Sequence, residues 1–250
     1  MKHRRVSLLF VILPVLLLLP TTSFAMHISE GLLPFSWALF WFLVSGLFLS
    51  LGLRTLAKRS ANDLSSTPLV GMITAVVFII SCMPVPVPTA GTCSHPCGTG
   101  LAAVLLGPTL GVVVAAVALL IQALFLSHGG LSTWGANVFT MGVMGSFAGY
   151  LTFRGLRSIR VGVVPAAFAA GLAADWATYA GTAMILAAGI RGSSPFWPLT
   201  FKIGLAFVPT QLPLGIIEGA ITAGMVSLLR KKRPDLLTRT ALADLEESKP

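Results

Sequence analysis

Gly98-Thr-Gly-Leu-Ala-Ala-Val-Leu-Leu-Gly-Pro-Thr-Leu-Gly-Val-Val-Val-Ala-Ala-Val-Ala-Leu-Leu-Ile-Gln-Ala-Leu-Phe-Leu-Ser127 is one apolar run interrupted at Gly107-Pro108. Whether it counts as one segment or two decides the architecture. Glycine supplies a turn and proline disfavours helix in the residue before it, so the pair punctuates two helices, over 98–107 and 109–127. Working outward, further apolar segments lie at 35–53, 68–83, 137–153, 161–189 and 201–229. The 250 residues are 55% hydrophobic and 10% charged, with a mean hydropathy of +0.89. Soluble domains carry about 25% charged residues, so these figures exclude a soluble globular domain, a disordered tail and a secreted disulfide scaffold.

The net charge of +9 invites a nucleic-acid reading, and the placement of the charge removes it. Arg54, Lys58 and Arg59 follow the first segment, Arg154, Arg157 and Arg160 the fifth, and Arg230, Lys231, Lys232 and Arg233 the last. Basic residues at segment ends mark cytoplasmic loops. Keeping all three clusters inside requires an even number of crossings between Pro84 and Asn137. The break at Gly107-Pro108 supplies it, although 98–107 is too short to span fully. The expectation is an all-α polytopic membrane protein of about seven transmembrane segments, N-terminus outside and C-terminus cytoplasmic. Only Arg191 and Lys202 sit at the outer edge against the rule.

The chain opens with an address. Lys2, Arg4 and Arg5 precede the apolar run 6–19 and then Pro20-Thr-Thr-Ser-Phe-Ala25, with small residues at Ser23 and Ala25. That is a signal-peptide pattern with cleavage predicted after Ala25; an uncleaved first helix is the alternative. The mature chain then begins Met26-His27-Ile28-Ser29-Glu30-Gly31. Its multi-pass location is the plasma (inner) membrane, and the lipid bilayer is its immediate partner.

This topology puts His27, His95 and His128 on the outer side. A free amine on Met26, the amide nitrogen of His27 and the His27 Nδ1 close two fused chelate rings on one ion. They leave one in-plane position for a distant imidazole. Such a tetragonal nitrogen field suits Ni(II), Cu(II) or low-spin Co(II). The outer loop 84–100 carries Cys93-Ser-His-Pro-Cys97, a spacing too tight for a structural zinc site. His95 is therefore read as the fourth nitrogen ligand and the cysteines as neighbours, which outside the cytoplasm can also be oxidised to each other. His128, in Ser127-His-Gly-Gly-Leu-Ser-Thr-Trp-Gly-Ala-Asn137, is read as bonding loop backbone rather than metal. Asp175 and Glu218 lie inside apolar segments, where an ionisable group is costly. They are expected to hydrogen-bond Tyr179, Gln211 or Thr178 between helices, away from the outer site.

Met26–Pro34, Gly91–Gly100 and His128–Phe139 together resemble the CbiM/NikM family, substrate-capture components of energy-coupling-factor transporters for cobalt and nickel. Gly171-Leu-Ala-Ala-Asp-Trp-Ala-Thr-Tyr179 and Thr210-Gln-Leu-Pro-Leu-Gly-Ile-Ile-Glu-Gly219 extend the likeness over the mature chain, and the Cys-Ser-His-Pro form is closer to the cobalt branch. The resemblance implies metal capture by four nitrogens, here those of Met26, His27 and His95. It implies Co(II) as cargo for uptake that supports cobalamin biosynthesis, with no resident cofactor. It also implies a transmembrane coupling protein, ATP-binding subunits and a small accessory membrane subunit as partners. Two departures stand out. Cys97 replaces a common threonine, which leaves a disulfide or a sulfur contact with Cys93 open. In the segment 68–83, where other capture components dock through small residues spaced by four, Gly71 and Ala75 are followed by bulky Ile79.

The domains so read are 1–25 signal peptide, 26–233 transmembrane metal-capture domain and 234–250 cytoplasmic tail. No Gly-x-x-x-x-Gly-Lys-Ser/Thr occurs, so ATP hydrolysis belongs to partners and the chain is not read as an enzyme. The rival cargo is nickel. A rival class, a membrane-embedded metalloenzyme, lacks His-Glu-x-x-His and has only Glu30 as an outer acid near the terminus.

Overall fold

The computed structural model describes residues 27–83, 85–87 and 92–234. The signal segment, Met26 and the acidic tail lie outside them. Helix α1 (Phe35–Asn62) leads to α2 (Ser66–Ser81), and a hairpin of two three-residue strands, β1 (Val85–Val87) and β2 (Thr92–Ser94), follows. Val85 pairs with Ser94 and Val87 with Thr92, antiparallel. Then come α3 (Thr99–Leu106), α4 (Pro108–Phe125) and α5 (Trp134–Asn137), which passes through a π-helical stretch (Val138–Gly145) into α6 (Ser146–Ser158). Long helices α7 (Val163–Ile190) and α8 (Phe196–Lys232) complete the chain. Each of the seven apolar segments read from sequence corresponds to one helix or continuous helical run. Of these, α1, α4 and α8 are long and apolar enough to cross a bilayer by length and composition.

The break at Gly107-Pro108 is where the sequence placed it. Gly98 and Gly107 bound α3 at φ 72° and 89°, left-handed backbone that favours glycine, and Pro108 opens α4. At eight residues α3 is about 12 Å long, far short of a hydrocarbon core of about 30 Å. It is instead the centre of the bundle. Every residue from Thr99 to Leu106 is buried, and α2, α4, α6, α7 and α8 all touch it. A helix apolar on all sides is a core helix.

The outer helices show the opposite pattern. On α1, Phe35, Leu43 and Leu47 are 81%, 69% and 62% exposed, which in a membrane is contact with lipid. Association between helices there gains nothing from apolar burial alone and depends on close packing through small residues. Gly100 and Gly171 provide it. A Cβ on Gly100 would lie 2.6 Å from Gly171 Cα, and one on Gly171 would lie 2.8 Å from Glu218 O and 3.0 Å from Gly219 Cα. Backbones of α3, α7 and α8 therefore meet at one level, and that contact carries Glu218 to the 95–98 loop. At the opposite end of α3, an Arg59 guanidinium nitrogen donates to Leu106 O at 3.0 Å, setting the Gly107-Pro108 turn beside the first basic cluster.

Candidate metal centre

The three histidines, scattered over a hundred residues of sequence, converge. His27 and His95 are buried, His128 is half-buried, and their nearest ring nitrogens all lie within 4.8 Å of one another. His27 Nε2 stands 3.1 Å from His95 Nε2, and the His128 ring centre is 5.3 Å from that of His27 and 5.4 Å from that of His95.

Hydrogen bonding assigns the tautomers. His95 Nδ1 lies 2.9 Å from Pro96 O, a carbonyl that only accepts, so Nδ1 carries the proton and Nε2 keeps a lone pair. His27 Nε2 faces that lone pair and, at 2.9 Å, Gln122 Oε1. It therefore carries a proton, which leaves the lone pair of His27 on Nδ1. Gln122 is held in this sense because its Nε2 donates to Ser81 Oγ at 2.6 Å. The resulting lone pairs, Nδ1 of His27 and Nε2 of His95, are those that an amino-terminal chelate and a distant fourth ligand require. A ligating histidine whose other nitrogen donates to an oxygen is the usual outer-shell arrangement. Met26, whose amine completes the predicted chelate, lies outside the described residues.

The loop after α4 and Asn137 at the end of α5 grip the backbone on the other side of His27. Asn137 Oδ1 accepts from Ile28 N at 2.8 Å, and Asn137 Nδ2 donates to Ile28 O at 3.2 Å. Thr133 Oγ1 also donates to Ile28 O, and Ser132 N donates to Glu30 at 3.1 Å. Gly129, at φ +81°, lets the loop lie against His27, since a Cβ there would be 3.0 Å from His27 Cβ.

Burial pushes His27 well below the ordinary imidazole range, and repulsion from His95 and then His128 pushes it further against the bond to Gln122. His95 is lowered to about 3, first by burial and then by His128. Burial also lowers His128. All three imidazoles are neutral at pH 7, the form that binds metal. Glu30 is held below the usual carboxylate range by its bonds from Ser132.

Beneath the imidazoles the structure corrects the sequence reading twice. Glu218 does not turn to Tyr179, Gln211 or Thr178. Its Oε2 accepts from Cys97 N at 2.5 Å and its Oε1 from Gly98 N at 3.0 Å. The loop dips into the bundle and brings its amides to the helix, which no local pattern reveals. Cys97 is a free, fully buried thiol directed at Asp175 Oδ1, 3.8 Å away. Burial raises the Cys97 thiol well above its ordinary range, and the nearby Glu218 and Asp175 raise it further. Tyr179, also expected to face the acids, spans the His95 backbone instead. Its hydroxyl donates to His95 O at 3.0 Å and accepts from His95 N at 3.3 Å.

His128 is a further difference. Its amide does bond backbone, donating to Gln122 O at 3.2 Å, but the same turn also directs its ring to the other two. Gln122 escaped the sequence reading altogether. The available signal was a lone amide in an otherwise apolar helix, less than two turns before a histidine.

A family model for the cobalt uptake substrate-specific transmembrane region, CbiM, matches residues 27–236. The chain belongs to the CbiM family. A CbiM cobalt transport protein of Geobacter sulfurreducens is 64% identical over 91% of this chain and 66% of its own length, so the chain spans just under two thirds of that relative. A CbiM cobalt transport protein of Sorangium cellulosum is 53% identical over 88% of this chain and 98% of its own length. Among solved structures, a crystal structure of a transition metal transporter superposes with a TM-score of 0.74 at 28% identity, covering 82% of this chain and 93% of that one. CbiM membership makes the chain a membrane component of cobalt uptake, and its relatives are named as transport proteins rather than enzymes.

Proposed function

We propose that the chain is the substrate-capture subunit of an energy-coupling-factor cobalt importer, taking Co(II) at its extracytoplasmic face for ATP-driven uptake that supplies cobalamin biosynthesis. The carrying observation is the meeting of the His27 and His95 Nε2 atoms at 3.1 Å across 68 residues, with hydrogen bonds to Gln122 and Pro96 that leave the lone pairs on His27 Nδ1 and His95 Nε2. The Met26 amine, the His27 amide and Nδ1, and His95 Nε2 are the four donors of this reading. His128 lies close enough to assist entry of the ion. The signal peptide is removed after Ala25, because only cleavage there creates the amine.

Transport energy comes from a coupling protein and ATP-binding subunits, with the small accessory membrane subunit as a further partner. Gly71, Ala75 and Ile79 lie along an exposed side of α2, and a Cβ on Gly71 would meet nothing within 4 Å, which suits a docking face. The Arg59–Leu106 contact supports an inside position for the Gly107-Pro108 turn, and with it the seven-segment topology, the outside N-terminus and the outward metal site. A hydrolytic metal site is disfavoured, because Glu30, its candidate base, is tied to Ser132 N.

The test is amino-terminal sequencing of the mature chain with metal analysis, alongside a variant carrying two alanines inserted before Met26. Two added residues carry the amine beyond reach of a fused ring with the His27 donors, whereas a single one would create a new amine–amide–amide–imidazole set, so Co(II) binding is lost while folding is retained. Unchanged binding would reject the amino-terminal chelate. Competition between Co(II) and Ni(II) on the same samples separates the two cargoes.

A further inference from the structure

The imidazole cluster is not the only set of metal-binding groups that folding assembles. Cys97 from the loop, Asp175 from α7 and Glu218 from α8 each offer a ligand atom, and these atoms lie within 4.8 Å of one another. All three residues are sealed from solvent, at 0%, 0% and 1% exposure. Asp175 is twelve residues from one end of α7 and fifteen from the other, about 18 and 22 Å along the axis, so the group sits near mid-helix.

Buried charges are normally paired with cations or coordinated to metals. The groups acting on these carboxyls are one another, Cys97 and the loop amides, and none of them is cationic. Glu218 is satisfied by the amides of the Cys97–Gly100 segment and bonds the Asp175 carboxyl as well. Asp175 is not satisfied. Besides the long thiol contact at Oδ1 its carboxyl bonds Glu218, itself an acid, and its Oδ2, fully buried, has no hydrogen-bond partner. One sulfur and carboxylate oxygens, at these separations, form a donor set suited to zinc-like ions rather than magnesium or calcium.

We propose that Cys97, Asp175 and Glu218 form a second, interior site for a borderline-to-soft divalent cation such as Co(II) or Zn(II), distinct from the imidazole cluster. The cation takes the place of the thiol proton, which is released, and uses the open valence of Asp175 Oδ2. The site needs neither the Met26 amine nor His27, so it stands independently of the proposed capture chemistry. Tyr179, one turn along α7 from Asp175, bonds the His95 backbone, and His95 is two residues from Cys97. One loop clamped to one helix therefore carries ligands of both sites.

A proton shared between Asp175 and Glu218 would neutralise the pair without metal, and titration separates the two states. The full mature chain, reduced and in detergent, is titrated with Co(II). A second equivalent is expected, accompanied by thiolate-to-cobalt charge-transfer absorption in the near ultraviolet. Cys97→Ser removes the band and that equivalent, whereas His95→Ala keeps the band. Cys82→Ser and Cys93→Ser also keep it. The nearly isosteric Asp175→Asn weakens the band-forming step about tenfold or more. A wild-type chain that binds one equivalent without the band overturns the proposal, as does a band that survives Cys97→Ser or disappears with Cys93→Ser. The wild-type titration decides the matter even where a variant fails to fold.

Discussion

Gln122 touches no donor of the proposed chelate, yet it sets which nitrogen of His27 carries the proton. Removing it leaves Ser81 Oγ without its donor and frees the imidazole to change tautomer. Loss of an outer-shell partner typically costs about 10–100-fold in metal affinity. Gln122→Ala is therefore expected to weaken Co(II) binding by about that factor in calorimetric titration, with Gln122→Glu restoring part of it because a carboxylate still accepts from Nε2. The imidazoles also set a pH dependence. His27 and His95 are depressed in the folded chain, His95 to about 3, whereas unfolded histidine titrates near 6.5. Below that value the unfolded chain binds more protons, so stability is full above about pH 6.5 and falls as pH drops, by about 1.4 kcal/mol per unit for each histidine. Thermal melts of the metal-free protein between pH 7.5 and 5 should show this decline. A flat profile would mean the imidazoles are solvated.

Helices here are joined by glycine contacts rather than by apolar burial, and this is where single substitutions act most strongly at the element scale. Gly171→Leu would drive a side chain into Glu218 O and Thr222 Oγ1, 2.8 and 2.7 Å from the new Cβ. Overpacking of this kind costs about 1–3 kcal/mol. At about 2–4 °C per kcal/mol for a chain of this size, a drop of several degrees in melting temperature is expected. Because the same contact brings Glu218 to the Cys97 and Gly98 amides, the loop bearing His95 should loosen too, seen as faster amide exchange over 95–100. Helix α3 makes the complementary point. Its short apolar run was legible as a segment, but its central position was not, since periodicity cannot tell a helix buried on all sides from one facing lipid.

For the whole molecule, the exposed side of α2 separates stability from assembly. A Cβ on Gly71 meets no neighbour within 4 Å and the position is exposed, so the isolated Gly71→Leu chain should melt as the wild type does. If that side docks the coupling protein, co-purification of the complex should fall sharply while Co(II) binding stays intact. Co-purification at the wild-type level would move the docking surface elsewhere. The exposed apolar side chains of α1 and α8 are further large external features, which in a membrane face lipid.

Composition, charge order and turn chemistry by themselves determined a helical membrane chain, the break at Gly107-Pro108, the segment count and the choice of His27 and His95, because each of these is written in neighbouring residues or in residue type. Only the tertiary structure decided that His128 joins them, that Gln122 and Asn137 hold the segment from either side, and that Glu218 reaches the Cys97 loop instead of its helical neighbours. Those contacts join residues 33 to 121 positions apart. They depend on how closely backbones approach at Gly100 and Gly171, a property of packed surfaces that no single stretch of sequence contains.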